Sequence, residues 1–577
     1  MLRSIGHKYR KECSDELIVN GQFPAARSSK EQTYVFILGY LRMSFVQAFT
    51  RMVSIALLWA LSTSGVAAKS ETQVTAFMQS VAEAASEDKD IAAFYRSVEF
   101  QPLWTGKGRV FRERRSALFD ALERSDEHGL VPSQYDISEL KSQIRSARTK
   151  RDLGQVEVAI SRAFLDYARD VQTGMLVPKR IDDGLVRKVP YRDREAYLAN
   201  FAESNPEKYL KSLAPTSAEY ARLRKEKLLL ERQLGRGGWG APIRAKKLEP
   251  GDSGAAVVQL RDRLIRMGYL PRRVSQKFDA DMQKAVQEFQ EAHGLTPDGV
   301  AGPSTIAELN IPAQERLKSI LVAMERERWT NMPRGERHIM VNLTDFSAKV
   351  IDNGKVTFES RTVVGHRDLD RRSPEFSDTM EHLVINPTWN VPGSIATKEY
   401  LPMLKANPNA VSHLTLYDGR GQVVNRGAVN FSQYTARNFP FDIKQAPSNS
   451  NALGLVKFMF PNRHNIYLHD TPAKSLFSRE VRAYSHGCIR LHKPFEFAYT
   501  ILARQSSNPK GLFHDILDTG RETQVDLEKQ IPVHIMYRTA FTEAKGPMQY
   551  RRDIYGRDAK IWKALANEGV ALPAVRG

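Results

Sequence analysis

Cysteine is scarce in this chain: of 577 residues only Cys13 and Cys488 carry a thiol. Cys13 lies upstream of a stretch with the form of a secretory signal, so the mature protein is expected to hold one thiol. In an oxidising compartment a lone cysteine cannot be half of an internal disulfide and is open to oxidation, so it needs a chemical reason to be there. Long apolar runs are also missing. Val53 to Leu61 follows Arg51-Met52 and leads into Ser64-Gly65-Val66-Ala67-Ala68, but it falls short of the roughly 20 residues a spanning helix needs. The pattern is that of a signal peptide cleaved near Ala68, set far into the chain, where Met43 or Met52 would be a more ordinary start; an uncleaved, membrane-associated anchor is the alternative. Acidic residues are outnumbered, 66 against 85 basic ones, for a formal charge of +19. A field of that sign suits nucleic acid, anionic lipid or an acidic polymer. No Arg- or Lys-rich run with interleaved aromatics marks a nucleic-acid groove, so nucleic acid is not expected as a partner. Internal repeats and low-complexity segments are absent as well.

What is present is concentrated between Ile466 and Leu491. Ile466-Tyr467-Leu468-His469-Asp470 alternates with the two-residue period of a half-buried strand. That period sends Tyr467 and His469 to one face and Ile466 and Leu468 into the core. After a fifteen-residue gap comes Ser485-His486-Gly487-Cys488-Ile489-Arg490. A thiol becomes a nucleophile when a base stands within hydrogen-bond reach and backbone N–H groups wait where the oxyanion will form. His469 is the candidate base. Gly487 permits a sharp turn that would leave the Gly487 and Cys488 amides open to a carbonyl oxygen. Pro494, with Phe495, Ala498, Ile501 and Leu502 in a helical stripe, predicts a helix just beyond, so Cys488 is expected at a strand-to-helix transition. Two blander readings stand beside this one. A cysteine near a histidine is commonly a buried small hydrophobe. His486, Cys488 and His492 are soft metal ligands, but the spacing of His486 and Cys488 departs from that of zinc sites, and no metal is expected.

His469, the gap and the Ser485–Arg490 string resemble the active-site motif of the YkuD-type L,D-transpeptidases. Ile466 to Pro472 and Val481 to Tyr484 resemble the longer YcbB-like branch. The resemblance implies an acyltransferase in which Cys488 attacks a peptidoglycan stem peptide at the carbonyl between the L-centre of diaminopimelate and the terminal D-alanine. It makes His469 the general base and acid, adds Tyr467 to the oxyanion pocket with Gly487, and leaves Ser485, His486 and Arg490 as flanking motif positions. It also implies that a backbone carbonyl, that of Asp470, orients the base; the sequence equally allows the Asp470 side chain to contact His469 directly. No cofactor is needed. The implied partners are donor and acceptor stem peptides, with acylation by carbapenems, and the implied location is the periplasm. The same acyl-enzyme resolved by water would be an L,D-carboxypeptidase, and resolved by an amine of an outer-membrane protein it would anchor that protein to the wall. A non-catalytic wall-binding scaffold is the alternative of another class.

The expected fold is multidomain α+β. Residues 1–68 read as the N-terminal extension and signal peptide, and 69–245 as a helical scaffold. The scaffold stripes are Ala117, Leu118, Ala121 and Leu122, then Ala159, Phe164, Leu165 and Ala168. Leu103-Trp104 and Phe164 to Asp170 resemble the family's amino-terminal scaffold. Gly235 to Gly240 fits the dinucleotide pattern literally, yet it follows a helix and reads as a linker. Residues 246–312 hold three short helices: the first capped by Asp252-Ser253 and closed by Gly268, the second ending at Gly294, the third opening at Pro303. Gly251 to Gly254, Val258-Gln259-Leu260, Phe289-Gln290 and Pro297-Asp298-Gly299 resemble the type 1 peptidoglycan-binding domain. Residues 313–540 read as a mostly-β catalytic domain, with a hairpin at Asn353-Gly354 and a capping insertion at about 390–450. Asn386 to Pro392 resembles the entry to that insertion, and Trp389 is a channel-lining or core tryptophan. Residues 541–577 are expected to end in a helix packed on the scaffold.

Overall fold

The computed structural model describes residues 74–574; Cys13, the proposed signal and the Ala68 cleavage site lie outside the described residues. No helix among them is long and apolar enough to cross a membrane.

The amino-terminal part is helical. Its longest helix, Lys150–Thr173, opens with a capping box in which Thr149 and Asp152 satisfy each other's backbone N–H groups. The helix buries Val158, Phe164 and Ala168 completely. Trp104, Phe164 and Phe201 stack around it, with ring centroids 4.9 Å apart for Trp104–Phe201 and for Phe164–Phe201. One carboxylate, Glu157, is wholly buried among them. It accepts from the Trp104 amide (2.9 Å), the Thr105 amide (2.8 Å) and the Tyr95 hydroxyl (2.9 Å), so the loop carrying Leu103-Trp104 is tied to the helix by a buried charge that is fully hydrogen-bonded.

Three helices, Ala255–Met267, Ala280–Ala292 and Pro303–Leu309, form the next unit around Leu260, Leu264, Met282, Val286 and Phe289. Gly268 closes the first in the left-handed conformation, and Asp279 caps the second by accepting from the Met282 amide. The expected Asp252-Ser253 cap is not formed. Gly254 is the cap residue, at φ +104°, and makes no side-chain bond, because Asp252 turns back to accept from the Glu249 amide at 2.8 Å.

The sheet-rich part contains β1 (Arg337–Asn342), β2 (Ser347–Asp352), β3 (Lys355–Gly365), β4 (Phe376–Ile385), β8 (Val456–Met459), β9 (Leu468–His469), β10 (Ala483–Ser485), β11 (Ile489–Leu491) and β12 (Thr523–Met536). Their order is β10-β3-β11-β9-β8-β4-β12-β1-β2, and a further β2–β3 pairing closes the sheet on itself. Asn353 and Gly354 both sit at positive φ in the two-residue turn that makes this pairing. Ile339, Val341, Leu383, Phe458, Leu468, Ile489 and Phe497 fill the interior.

Between the antiparallel neighbours β4 and β8 the chain leaves the sheet. It builds a small antiparallel sheet of β5 (Trp389–Asn390), β6 (Thr415–Tyr417) and β7 (Asp442–Gln445), ordered β5-β7-β6, over its own core of Leu401, Leu404, Leu416, Phe431 and Ile443. The buried Asn451 ties the two ends of this cap together, donating to the carbonyls of Pro387, Gln445 and Ala446. After β12, a short pair β13 (Ala540–Phe541) and β14 (Gln549–Tyr550) leads to the helix Arg557–Asn567, whose Ile561 and Leu565 join the helices Ala218–Leu234 and Ala313–Trp329 in one core.

Candidate active site

β9 and β11 lie side by side and parallel, with Leu468 opposite Ile489 and His469 opposite Arg490. Side chains alternate along a strand, so Leu468 and Ile489 point into the core, both fully buried, while His469 and Arg490 share the other face. Two residues earlier on each segment, Tyr467 and Cys488 share that face. The Tyr467 and His469 rings are 5.6 Å apart. Cys488 sits in the turn joining β10 to β11, not at a strand-to-helix transition; the helix Pro494–Leu502 begins only after β11, a strand of three residues too short to show a period.

The turn is closed by Ser485. Its Oγ donates to the Cys488 carbonyl and accepts from the Gly487 amide at 3.1 Å. The Gly487 amide, expected to be open, is therefore occupied, and among the described residues no acceptor faces the Cys488 amide. Gly487 contributes conformation: φ is +116°, a side chain there would lie 3.1 Å from Ile466 Cδ1, and its carbonyl accepts from Ser373 Oγ at 2.6 Å.

His469 is buried, and its Nδ1 bonds the carbonyl of Asp470. The Asp470 carboxylate faces elsewhere, accepting from the Leu455 amide (3.0 Å), the Thr471 amide (2.7 Å) and Lys474 Nζ (2.5 Å), so of the two arrangements open from sequence the carbonyl is the one formed. Burial, reinforced by the Arg490 guanidinium, pulls the His469 pKa down to about 3. The ring is neutral at physiological pH. Burial pushes the Cys488 thiol up to about 11, against the pull of hydrogen bonds from the Tyr467 backbone and hydroxyl and of the Arg490 charge. The thiol proton rests on the Asn465 carbonyl, 3.4 Å away. The resting state is thus a neutral thiol bonded to the Asn465 carbonyl and a neutral imidazole on the same face, and the thiolate has to be made as attack begins.

Arg490 is half-buried and has no hydrogen-bond acceptor among the described residues; its Nε is buried and unsatisfied. An unpaired guanidinium on the nucleophile's face has the charge and the free donors to hold an anion. His486 reaches toward the cap, its Nε2 2.6 Å from Glu399 Oε1, and His492 lies against Phe477 at 4.9 Å, so the two rings have separate partners. Trp389 is half-buried in the cap, edge-on to Tyr400 at 6.3 Å. Asn465, Glu399 and Arg371 are site neighbours that sequence reasoning missed. Asn465 alone left a trace, as an asparagine in a loop; it takes φ +52°, a conformation asparagine tolerates better than most.

Residues 336–517 match the family model described as "L,D-transpeptidase catalytic domain" (YkuD). The chain carries a YkuD-type L,D-transpeptidase catalytic domain. Residues 89–226 match "Scaffold domain" and 253–309 match "Putative peptidoglycan binding domain", so the transpeptidase domain follows a scaffold and a peptidoglycan-binding module. A curated protein of Haemophilus influenzae named "Putative L,D-transpeptidase" is 32% identical over 248 residues, 43% of this chain and 50% of that protein; the chain spans about half the length of that relative. General secretion pathway protein A of Aeromonas hydrophila is 36% identical over 83 residues, 14% of this chain and 15% of that protein. The solved L,D-transpeptidase of Stackebrandtia nassauensis is 14% identical, with 52% of this chain and 97% of that one covered at a TM-score of 0.21, which leaves the fold to be read from the sheet itself.

Proposed function

We propose that the protein is an exported L,D-transpeptidase that joins two peptidoglycan stems through their diaminopimelates. Cys488 gives its proton to His469 and adds to the diaminopimelate carbonyl of a donor tetrapeptide. The Cys488 amide, with Tyr467 beside it, stabilises the oxyanion. His469 returns the proton to the departing D-alanine amine, leaving a thioester. The amine of a second stem, deprotonated by His469, then displaces the thiol and forms the new amide. Arg490 offers its unpaired guanidinium to a carboxylate of the bound peptide. The cap beside the Cys488 turn limits water and favours the amine over hydrolysis.

The observation that carries this reading is the single face on which β9 and β11 bring Tyr467, His469, Cys488 and Arg490 together, with His469 held through its Nδ1. The scaffold and peptidoglycan-binding modules support a place at the cell wall. The test is incubation of the purified chain with disaccharide tetrapeptide and mass spectrometry of the products. A dimer lacking one D-alanine supports transfer, and a tripeptide monomer would turn the reading to carboxypeptidase. The Cys488→Ala variant should form neither; dimer at the parent's rate from that variant would remove Cys488 from the mechanism.

A further inference from the structure

Two side chains beside the Cys488 turn end on a carboxylate that comes from the cap. Glu399 Oε1 is 2.6 Å from His486 Nε2 and 3.0 Å from Arg371 Nη2. A second pair, Lys398 to Asp370 at 2.7 Å, runs parallel to it. Glu399 and Lys398 lie on a π-helical turn, Ala396–Tyr400, a geometry rare in proteins and found mostly at functional sites. Arg371 belongs to the segment that backs the nucleophile's turn: the carbonyls of Arg371 and Arg372 stand 3.9 Å from where a Gly487 side chain would be, and the next residue, Ser373, bonds the Gly487 carbonyl. Arg371, Glu399 and His486 are each about one-third exposed, at 35%, 32% and 35%. Ion pairs this wet are weak and exchange readily with a competing ligand.

We propose that Arg371 and His486 form a seat for a carboxylate of the donor peptide, and that Glu399 is the chain's own carboxylate occupying that seat while the cap is down. This rests on the reading of Cys488 as the acyl-accepting thiol. A cation and a ring N–H converging on one oxygen two residues from the nucleophile is the arrangement that binds a carboxylate end-on. Stem peptides carry several carboxylates, so an arriving donor displaces Glu399 and in the same act releases the cap from the Cys488 turn. Anionic molecules without enough further contacts to win the seat are held off.

The test uses the full chain and two reagents that differ only in charge, iodoacetate and iodoacetamide, with alkylation read at the Cys488 peptide by mass spectrometry. Glu399→Gln should speed iodoacetate about five- to tenfold relative to iodoacetamide, because a negative charge is removed from the approach. Adding Arg371→Ala to Glu399→Gln should cancel that gain, and high salt should flatten the difference between the reagents. Three outcomes overturn the proposal: no change in the ratio of the two rates, an equal acceleration of both, which would make Glu399 a latch with no carboxylate seat, or a gain that survives Arg371→Ala. Neither reagent needs a stem peptide, so failure of the transpeptidase reading would show separately, as normal charge selectivity without dimer or tripeptide.

Discussion

Tyr467 shares the nucleophile's face, and its backbone and hydroxyl both act to favour the Cys488 thiolate. The Tyr467 hydroxyl is held far above its ordinary pKa by burial and by the Cys488 charge, so it remains a donor at any working pH. Tyr467→Phe keeps the ring and deletes the donor. A hydrogen bond to a charged group contributes about 1.5–3 kcal/mol, so alkylation of Cys488 by iodoacetamide at neutral pH should slow roughly 10- to 100-fold. Unfolding should shift little. An unchanged alkylation rate would mean that the hydroxyl does not reach the sulfur in solution. The pH dependence of the parent is a second measurement at this scale. With the thiol pushed up to about 11, alkylation at Cys488 should keep climbing past pH 9, where an ordinary thiol of pKa about 8.5 levels off. Donor acylation should behave differently at its acid end. Burial has lowered the His469 pKa to about 3, so the base stays unprotonated well below the usual histidine value of about 6.5, and the acid limb should fall correspondingly low.

The elements around the site are held by contacts across the sheet, and Gly454 shows how closely. It precedes β8 at φ +63°, and a methyl group there would lie 2.2 Å from Asp470 Oδ2 and 2.5 Å from Asp470 Cβ. Asp470 cannot step aside without breaking its bonds to Leu455, Thr471 and Lys474, and its carbonyl is what orients His469. Gly454→Ala should therefore lower the rate of dimer formation far more than its effect on folding explains. Gly520 is the control. It has nearly the same backbone, φ +64°, with nothing within 4 Å of where a methyl group would stand. Gly520→Ala should lose only the strain, about 1–2 kcal/mol in a denaturant titration, and keep its activity. Equal activity losses in the two variants would remove Asp470 from the orientation of the base. The same elements mark what was legible beforehand. The Asn353-Gly354 hairpin and the stripe at Phe495–Leu502 are local patterns that formed where their period placed them, whereas of the strand expected over Ile466–Asp470 only Leu468–His469 formed, with His469 and Asp470 both buried. Local pattern could not reveal that Ser485 would occupy the Gly487 amide, which depends on one side-chain rotamer. Nor could it join Glu399 to His486, 87 residues apart, one on the cap's π-helical turn and the other in the turn between β10 and β11. The helix cap misread at Asp252-Ser253 failed for a related reason: the aspartate had a nearer amide to satisfy.

At the scale of the whole molecule, the helical part, the sheet and the C-terminal helix meet over one buried ionic knot. Glu375 is 2.6 Å from Arg326 and 3.4 Å from Arg557, and Arg326 in turn holds Asp558 at 2.9 Å. Removing a single partner strands the others in the interior, a loss of about 3–5 kcal/mol, so Glu375→Ala should be among the most destabilising changes in the chain. Acid reaches the fold by another route, and here two opposed effects have to be weighed. Among the histidines that burial lowers from 6.5 are His128 and His469, to about 3, His534, to about 4, and His293, well below its ordinary value. Unfolding would let all four bind a proton below pH 6.5, so their contribution is present above that pH and lost as pH falls. Burial also raises aspartates from 3.8, Asp170 to about 7, Asp558 to about 6 and Asp166 in the same direction. These bind protons in the folded chain first, and so favour it as pH falls. The histidines lowered by burial outnumber the aspartates raised by it, so near pH 5 the unfolded chain holds more protons than the folded one and stability falls as pH falls. The urea midpoint should accordingly drop steadily from about pH 6.5 to about pH 4.5. Asp170→Asn deletes one opposing carboxylate and should steepen that drop by close to one proton's worth. A flat midpoint over this window, or an unchanged slope in Asp170→Asn, would show that these groups are not buried in solution as they are here.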